Sequence, residues 1–223
     1  MIFLLFICFF LVACERQGEN EFPVRGIDVS AHQGEIKWLD LKKNGVRFSY
    51  IKATEGADFI DAQFVKNWNG ARQSGIIPGA YHYFTFCTKG ELQAQHFIKT
   101  IPSSQNALPP AVDVEYGGNC KNRPSDEQIR QELQRFIEVV EFKTQRKILI
   151  YTTLTAYFDF IKMTSSENEI WIRNTWMRPV LPGEHKWKIW QNEVKSFEGL
   201  VGPYDRNVFN GSSDEFAEWI KKR

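Results

Sequence analysis

From residue 24 onward, short apolar runs alternate with longer stretches in which apolar residues recur at helical spacing. Short runs rich in β-branched and aromatic residues predict strands, and the longer stretches predict amphipathic helices. The predicted strands lie at residues 24–29, 48–52, 77–86, 111–115, 147–151, 170–173, 187–191 and 199–205. The predicted helices lie at residues 36–44, 61–74, 89–101, 125–144 and 153–161.

Local signals mark two of the helix ends. Ser125 is followed three residues later by Gln128, which predicts a capping box at a helix start, and Gly75 follows the helix predicted before it. Repeated strand–helix pairs predict a parallel α/β sheet with right-handed crossovers, whereas the last third has strands with little helix between them. Eight strand candidates favour closure into a barrel in a single domain, and an open doubly wound sheet fits the same pattern.

Acidic and aromatic residues predominate where the predicted strands end, which is where α/β barrels place functional groups. An acidic and aromatic cluster of this kind is typical of a carbohydrate cleft. Zinc-ligand spacings, nucleophile elbows and phosphate-binding glycine loops are absent from the sequence, so we expect neither metal nor cofactor. The strand-end residues are Asp28, Glu55, Tyr81 with His82, Asp113 with Glu115, Tyr151, Trp171, Gln191 and Asp205.

Asp113 and Glu115 are one residue apart at the end of a short apolar run. Side chains at positions i and i+2 of a strand point to the same face, so we expect the two carboxyl groups to project together. Two acids held this close do not ionise independently, and one keeps its proton above its usual pKa. A general acid beside an anion is what glycosidic bond cleavage requires. His82 points the opposite way from Tyr81 and is predicted to be a buried histidine with satisfied hydrogen bonds.

The composition of the chain limits which classes of partner it can bind. The chain has 223 residues, 43% of them hydrophobic, which is enough for one domain with a sizeable core. Twenty-eight Lys and Arg against 27 Asp and Glu leave the chain nearly neutral. A nearly neutral chain gives no general attraction to nucleic acid, and we expect a monomer.

Residues 2–13 are almost wholly apolar and are followed by Cys14 and a polar stretch. The run is too short to span a bilayer comfortably and is typical of a secretory signal. Its end, Leu11-Val12-Ala13-Cys14, resembles the lipobox of bacterial lipoproteins. That resemblance implies a signal peptide at 1–13, lipidation of Cys14 and a tether at 14–23, which leaves one folded domain at 24–223. The protein would then be exported to the cell envelope and meet the membrane only through its lipid anchor. Because no Lys or Arg precedes the apolar run, an ordinary secreted protein is the alternative.

Cys87 and Cys120 are the two cysteines outside the N-terminal segment. In an oxidising compartment such a pair can form a disulfide, here between two loops at the same end of the fold. Two buried free thiols fit the sequence nearly as well, because sequence does not supply the Cα separation.

Several sequence motifs, in order, resemble those of the family-25 glycoside hydrolases, the Chalaropsis-type lysozymes. They are Gly26-Ile27-Asp28-Val29-Ser30, Phe48-Ser49-Tyr50-Ile51-Lys52-Ala53-Thr54-Glu55-Gly56, Gly79-Ala80-Tyr81-His82-Tyr83-Phe84, Asp113-Val114-Glu115, Trp190-Gln191 and Asp205-Arg206-Asn207-Val208-Phe209. The resemblance implies an irregular TIM-like (β/α)5(β)3 barrel. It also implies hydrolysis of the β-1,4 bond between N-acetylmuramic acid and N-acetylglucosamine in peptidoglycan glycan strands.

The resemblance also implies roles for the strand-end residues. Glu115 would be the general acid and Asp113 its tuning partner, while Asp28 and Asp205 would stabilise the transition state or position water. Glu55 would contact substrate or brace a basic group, and Tyr83 belongs mostly to the core. The residues expected to bind sugar are Tyr81, Glu55, Tyr151, Trp171, Trp190 and Gln191.

The sequence departs from the family pattern along the predicted cleft wall. Arg173, Asn174 and Thr175 stand where a small residue and then an aromatic are usual, and Asn192 stands where Tyr is expected. These departures put subsite preference in question more than the acids. Two alternatives follow: a peptidoglycan-binding lipoprotein without hydrolytic activity, and a glycosidase for another amino sugar polymer such as chitin.

Overall fold

A computed structural model describes residues 21–103, 106–163, 167–182 and 185–221. The strands are β1 Arg25–Val29, β2 Val46–Glu55, β3 Phe59–Ile60, β4 Ile77–Tyr83, β5 Ala111–Val114, β6 Leu149–Thr153, β7 Ile170–Arg173, β8 Trp187–Ser196 and β9 Pro203–Phe209. The helices are α1 Trp38–Lys43, α2 Phe64–Gln73, α3 Gly90–Thr100, α4 Asp126–Thr144, α5 Leu154–Ala156 and α6 Ser213–Trp219. A single π-helical turn, Tyr157–Ile161, continues α5, and a 3₁₀ turn, Ala31–Gln33, follows β1.

Eight strands close into a barrel, because β1 pairs with both β2 and β9. All neighbouring pairs from β1 to β8 are parallel, whereas β9 runs antiparallel to both β8 and β1. Strand β3 forms only a hairpin with β2. Five strand–helix units followed by three strands confirm the expected irregular (β/α)5(β)3 barrel. Antiparallel β9 places its first residues, not its last, at the carboxyl ends of the other strands.

Aromatic side chains fill the barrel interior in layers. Trp171 stacks on Tyr50, with ring centroids 4.7 Å apart, and the Tyr50 hydroxyl donates to the Pro109 carbonyl at 3.0 Å. At the opposite end of the barrel, Phe216 of α6 packs on Phe48 and Phe209. The interior is therefore a packed aromatic column, and α6 closes its lower end.

A second apolar layer lies between the strands and the outer helices. There, His82 is fully buried, stacked on Phe136, and bonded to the Thr54 hydroxyl at 2.7 Å and to Gln93 at 3.1 Å. Burial lowers the His82 pKa to about 3, because desolvation disfavours the imidazolium. The prediction of a buried, satisfied histidine is confirmed.

The predicted local signals at helix ends are present. The Ser125 hydroxyl accepts from the Gln128 backbone N–H, and the Gln128 side chain accepts from the Ser125 N–H at 3.1 Å. Gly75 adopts φ 75°, a left-handed conformation that glycine reaches without steric cost, just after α2.

The last third differs from the prediction in two strands and one helix. Strand β9 spans Pro203–Phe209 instead of 199–205, β8 extends to Ser196, and α6 was not predicted. The outer halves of β8 and β9 pair as a hairpin, from Val194 opposite Asp205 to Ser196 opposite Pro203. Val194, Ser196 and Pro203 are exposed and Tyr204 is the one buried side chain of this hairpin, so no apolar alternation marks its boundaries.

The two loops after β4 and β5 are covalently joined. A disulfide links Cys87 to Cys120, with Cα atoms 6.3 Å apart. The disulfide alternative for this pair is therefore confirmed. Because both loops follow the carboxyl ends of parallel strands, the bridge braces the end of the barrel that holds the predicted acids.

The predictions for residues 1–13 and for Cys14 lie outside the described residues. Phe22, in the predicted tether, packs against Trp187 and Trp190 with ring centroids 5.8 and 6.0 Å away, so the ordered fold includes it. Within the described ranges, no helix is long and apolar enough to cross a membrane.

Gly79 leaves room for the aromatic column, and filling that room should destabilise the fold. A Cβ at Gly79 would lie 2.5 Å from Tyr50 Cε1 and 2.8 Å from Leu108 Cβ. We expect Gly79→Ala to lower the free energy of unfolding by about 1–3 kcal/mol, the usual cost of overpacking a core. Denaturant titration measures it. Gly117→Ala is the control, since a Cβ there meets nothing within 4 Å; equal stability of the two variants would contradict the packing argument.

Candidate active site

A polar pocket of about 410 Å³ opens at the carboxyl-terminal end of the parallel strands. Its walls bring together residues from seven strands and from the loop that follows β5. The aromatic column forms its floor. The lining residues are Asp28, Tyr81, Asp113, Glu115, Tyr151, Trp171, Arg173, Gln191 and Asp205.

Asp28, on β1, is held by two amides. Its Oδ2 accepts hydrogen bonds from Gln191 at 2.8 Å and from Asn207 at 2.7 Å. The Tyr151 hydroxyl donates to Gln191 at 3.1 Å, and the Trp171 indole N–H donates to Asn207 at 2.7 Å. Burial, and then the charge of Asp205, raise the pKa of Asp28 to about 7, although both amide donors lower it.

Asp113, on β5, is 8% exposed, and its Oδ1 has no hydrogen-bond partner among the described residues. Burial raises the Asp113 pKa well above its usual range, and the charges of Glu115 and Asp28 raise it further. A buried carboxyl oxygen without a partner is costly, so this atom is available to a ligand group that enters the pocket.

Glu115 follows β5 directly and shares the pocket with Asp113, as the alternation of strand side chains predicts. Its side chain is only partly buried, nearer the pocket mouth. Burial raises the pKa of Glu115, and Asp205 raises it further, while Arg173 and Lys52 oppose the shift. Glu115 is therefore an accessible carboxyl group that keeps its proton to higher pH than an ordinary glutamate.

Asp205, near the start of antiparallel β9, lies directly opposite Asp28 in the strand register. Burial raises the pKa of Asp205, whereas the Arg173 guanidinium lowers it. The sequence argument placed Asp205 at the end of a strand. The structure puts it at the same pocket, because the strand runs in the opposite direction.

Glu55 does not line the pocket. It pairs with Lys52 at 2.7 Å, and the Lys52 ammonium also lies 5.0 Å above the Tyr83 ring. Glu55 thus braces a basic group, one of the two expected roles. Tyr83 is 7% exposed and donates to the Gly117 carbonyl. Burial and the nearby carboxylates of Asp113 and Glu115 raise the pKa of Tyr83.

The predicted sugar platforms separate into three groups. Tyr81 and Tyr151 line the pocket, and burial raises the pKa of both hydroxyls well above the usual value. Trp171 lies beneath them, 2% exposed and T-shaped to Tyr151 at 4.7 Å, so it is the pocket floor. Trp190 lies outside the pocket, which contradicts its predicted role as a platform.

Strand alternation explains the position of Trp190. Its neighbour Gln191 faces the pocket, so Trp190 must face outward. There it packs on Phe22 and Trp187, and its indole N–H donates to the Asn174 carbonyl at 2.7 Å. The sequence argument assigned both Trp190 and Gln191 to the pocket, although adjacent strand residues point to opposite faces.

Sequence reasoning missed three site residues: Asn207, Lys52 and Arg173. Asn207 lies two residues after Asp205 on β9, so the alternation that paired Asp113 with Glu115 was a signal for it as well. Arg173 follows Trp171 by the same spacing and was noted only as a departure in the cleft wall. Lys52 acts at a distance, by lowering the pKa of Asp113 and of Glu115, and no local signal marked it.

Within the described ranges, no group of three or more His, Cys, Asp or Glu side chains is arranged to hold a metal ion. The pocket instead combines carboxyl groups of raised pKa with tyrosine hydroxyls and amides. Such a set can donate a proton to a leaving oxygen and stabilise positive charge on a sugar ring.

Comparison with known proteins agrees with this chemistry. The sequence model of the glycosyl hydrolases family 25 matches residues 27–199. Lysozyme M1 of Streptomyces globisporus is 33% identical over 203 residues, which cover 85% of this chain and 69% of that protein. The Escherichia coli protein YegX, which is uncharacterized, is 33% identical over 210 residues, covering 90% and 76%.

A solved structure of a family 25 glycosyl hydrolase from Bacillus anthracis superposes with a TM-score of 0.82. It is 40% identical, and the match covers 89% of this chain and 94% of that one. The agreement extends over nearly the whole described fold. The chain therefore belongs to the family 25 glycosyl hydrolases.

Proposed function

We propose that this protein is a lysozyme that hydrolyses the β-1,4 bond between N-acetylmuramic acid and N-acetylglucosamine in peptidoglycan. Glu115 is its general acid. The observation that best supports this function is the grouping of Glu115, Asp113, Asp28 and Asp205 in one pocket above an aromatic floor. Membership of family 25 and the similarity to a relative named lysozyme support the same reaction.

The four acids divide into different roles because their surroundings differ. Glu115 is accessible and has a raised pKa, so it donates the proton to the leaving glycosidic oxygen. Burial raises the pKa of Asp205, and the Arg173 guanidinium opposes that shift because it favours the Asp205 anion. The Asp205 carboxylate is then placed to stabilise positive charge that develops on the sugar ring.

Asp113 and Asp28 lie deeper in the pocket than Glu115. They position the substrate and share protons with the other carboxyl groups. The unpartnered Oδ1 of Asp113 fits the N–H of a substrate acetamido group. Asp28 is fixed by Gln191 and Asn207, so it holds the β1 wall of the pocket in one geometry. Tyr81 and Tyr151 present hydroxyls to the sugar, and Trp171 supports the floor beneath them.

The direct test identifies the products made from purified peptidoglycan. We expect new reducing ends on muramic acid, and a loss of turnover of about 10²–10⁴-fold in Glu115→Gln, because the amide cannot donate the proton. Reducing-end labelling followed by mass spectrometry measures both.

The glutamine variant should still bind peptidoglycan, which separates a lost proton donor from a lost fold. Pull-down of wild type without product at any pH would favour a non-hydrolytic binding protein. Activity on chitin alone would favour a glycosidase for another amino sugar polymer. Near-wild-type turnover by the Glu115→Gln variant would refute the assignment of the acid.

The buried acids should make stability depend on pH. The Asp28 pKa is about 7 in the fold against 3.8 as its ordinary value, so the fold favours neutral Asp28. Its stabilising contribution is present below about pH 4 and is lost as the pH rises through 7. Asn at this position stays neutral, and its amide oxygen can accept both hydrogen bonds that Oδ2 now accepts.

We therefore expect the stability of Asp28→Asn relative to wild type to be greater at pH 8 than at pH 4 by roughly 1–3 kcal/mol in free energy of unfolding. This is less than the free energy that corresponds to the full pKa shift, because part of Asp28 faces the open pocket. Urea unfolding at both pH values measures the gain. Asp58→Asn, in the exposed β2–β3 turn, is the matched control. A gain no larger at pH 8 than at pH 4 would contradict the buried, proton-sharing cluster.

We also propose that the protein is exported and held at a membrane through lipidated Cys14. Support comes from the apolar run before Cys14 and from the Cys87–Cys120 disulfide, since disulfides persist mainly in oxidising compartments. A lipid anchor would keep the enzyme near the wall it degrades.

Replacement of Cys14 tests the anchor. Expressed in a bacterial host, the wild type should fractionate with membranes and incorporate labelled fatty acid, and Cys14→Ser should do neither, because serine has no thiol to acylate. Cys8→Ser, within the same apolar run, should behave as wild type. Unlabelled wild type in the soluble exported fraction would instead indicate an ordinary secreted enzyme.

A further inference from the structure

Arg173 is the one cation among the described residues that line the pocket. It is the last residue of β7, two positions after the inward-facing Trp171, so strand alternation places it on the inner face at the pocket mouth. Its side chain is exposed, and within the described part of the chain no hydrogen bond or ion pair engages its guanidinium.

The neighbouring cations differ in this respect. Lys52 is 12% exposed and pairs with Glu55 at 2.7 Å, and Arg206 pairs with Glu193 at 2.7 Å. Both charges are already compensated by a carboxylate of the protein. The charge of Arg173 lowers the pKa of Glu115 and of Asp205, but neither carboxyl group forms an ion pair with it. An exposed planar guanidinium at the mouth of a pocket is suited to a carboxylate, which it can bind with two parallel hydrogen bonds.

The pocket needs such a group if its substrate is anionic. Four carboxyl groups line it, and any of them that ionises repels an acidic ligand. N-Acetylmuramic acid differs from N-acetylglucosamine by a lactyl ether, which ends in a free carboxylate on peptide-free strands. On peptide-bearing strands the lactyl group is an amide, and the carboxylates lie further along the stem peptide. Chitin has neither.

Resting on the proposed function, we propose that Arg173 is a specificity residue that binds a carboxylate on the lactyl or stem-peptide arm of the muramoyl residue. The guanidinium offsets repulsion from the acid cluster and selects acidic glycans over neutral ones. It also changes the protonation of Glu115 and Asp205, but that effect acts on every substrate alike. A preference for acidic over neutral glycans is therefore expected only if Arg173 binds the substrate carboxylate directly.

Binding measurements separate the two effects. In the Glu115→Gln background, in which turnover of the probe is strongly reduced, calorimetry compares Arg173 with Arg173→Gln on three tetrasaccharides. One is a muramoyl glycan with free lactyl carboxylates, the second has the same glycan with stem peptides, and the third is chitotetraose. Charge-assisted hydrogen bonds of this kind correspond to roughly a 10–100-fold change in Kd.

We expect Arg173→Gln to weaken binding of at least one acidic probe by that factor and to leave chitotetraose within about twofold. Loss on the peptide-free probe alone identifies the lactyl carboxylate, and loss on the peptide-bearing probe alone identifies the stem peptide. Arg173→Lys should restore part of the preference, because it keeps the charge without the planar fork. Arg135→Gln, the same charge change on the exposed face of α4, should have no effect.

Equal losses on all three probes, no loss on any, or failure of the Arg173 protein to prefer acidic probes would each overturn the proposal. The proposed function fails separately. Absence of muramic acid ends after digestion by the wild type would refute the lysozyme reaction, while the binding comparison would still decide the role of Arg173.

Discussion

Desolvation of four carboxyl groups at one end of a closed barrel is the constraint on which the rest of the site depends. Burial is the largest cause of the raised pKa at Asp28, Asp113, Glu115 and Asp205 alike. Charges in such a place are costly unless they are paired or neutralised, so the cluster holds protons that separate carboxyl groups would release. Retained protons make a general acid available, and they also make the fold less stable as the pH rises.

The protein limits this cost with donors placed on other strands. Amides from β8 and β9 converge on Asp28, and each is itself fixed, Gln191 by Tyr151 and Asn207 by Trp171. Trp171 in turn stacks on Tyr50 inside the barrel. Acid geometry and core packing are thus one connected structure. A change in the aromatic column would reach the acids through two hydrogen bonds.

Much of this arrangement was predictable, because it follows from alternation along single strands. The pairing of Asp113 with Glu115 and the buried His82 follow from local patterns, whereas the choice of a closed barrel over an open sheet rested on the family resemblance. Trp190 shows where the same rule was applied inconsistently, since its neighbour Gln191 already occupied the inner face. The direction of β9 and the ion pair between Lys52 and Glu55 could not be obtained this way. They depend on which strand closes the barrel and on side-chain reach, and neither leaves a periodic signal in the sequence.

The distribution of positive charge completes the argument about specificity. Lys52 pairs with Glu55 and acts on the acids only through its charge, whereas Arg173 lines the pocket and has no ion-pair partner among the described residues. A cation that served only to tune the acids would be better held in place, since a fixed geometry gives a fixed field. A guanidinium without an ion-pair partner in the described ranges instead suits a group that must meet its carboxylate on an incoming chain. On the proposal that Arg173 binds such a carboxylate, the departure from the family pattern at this position changes which glycans bind and leaves the proton donor Glu115 in place.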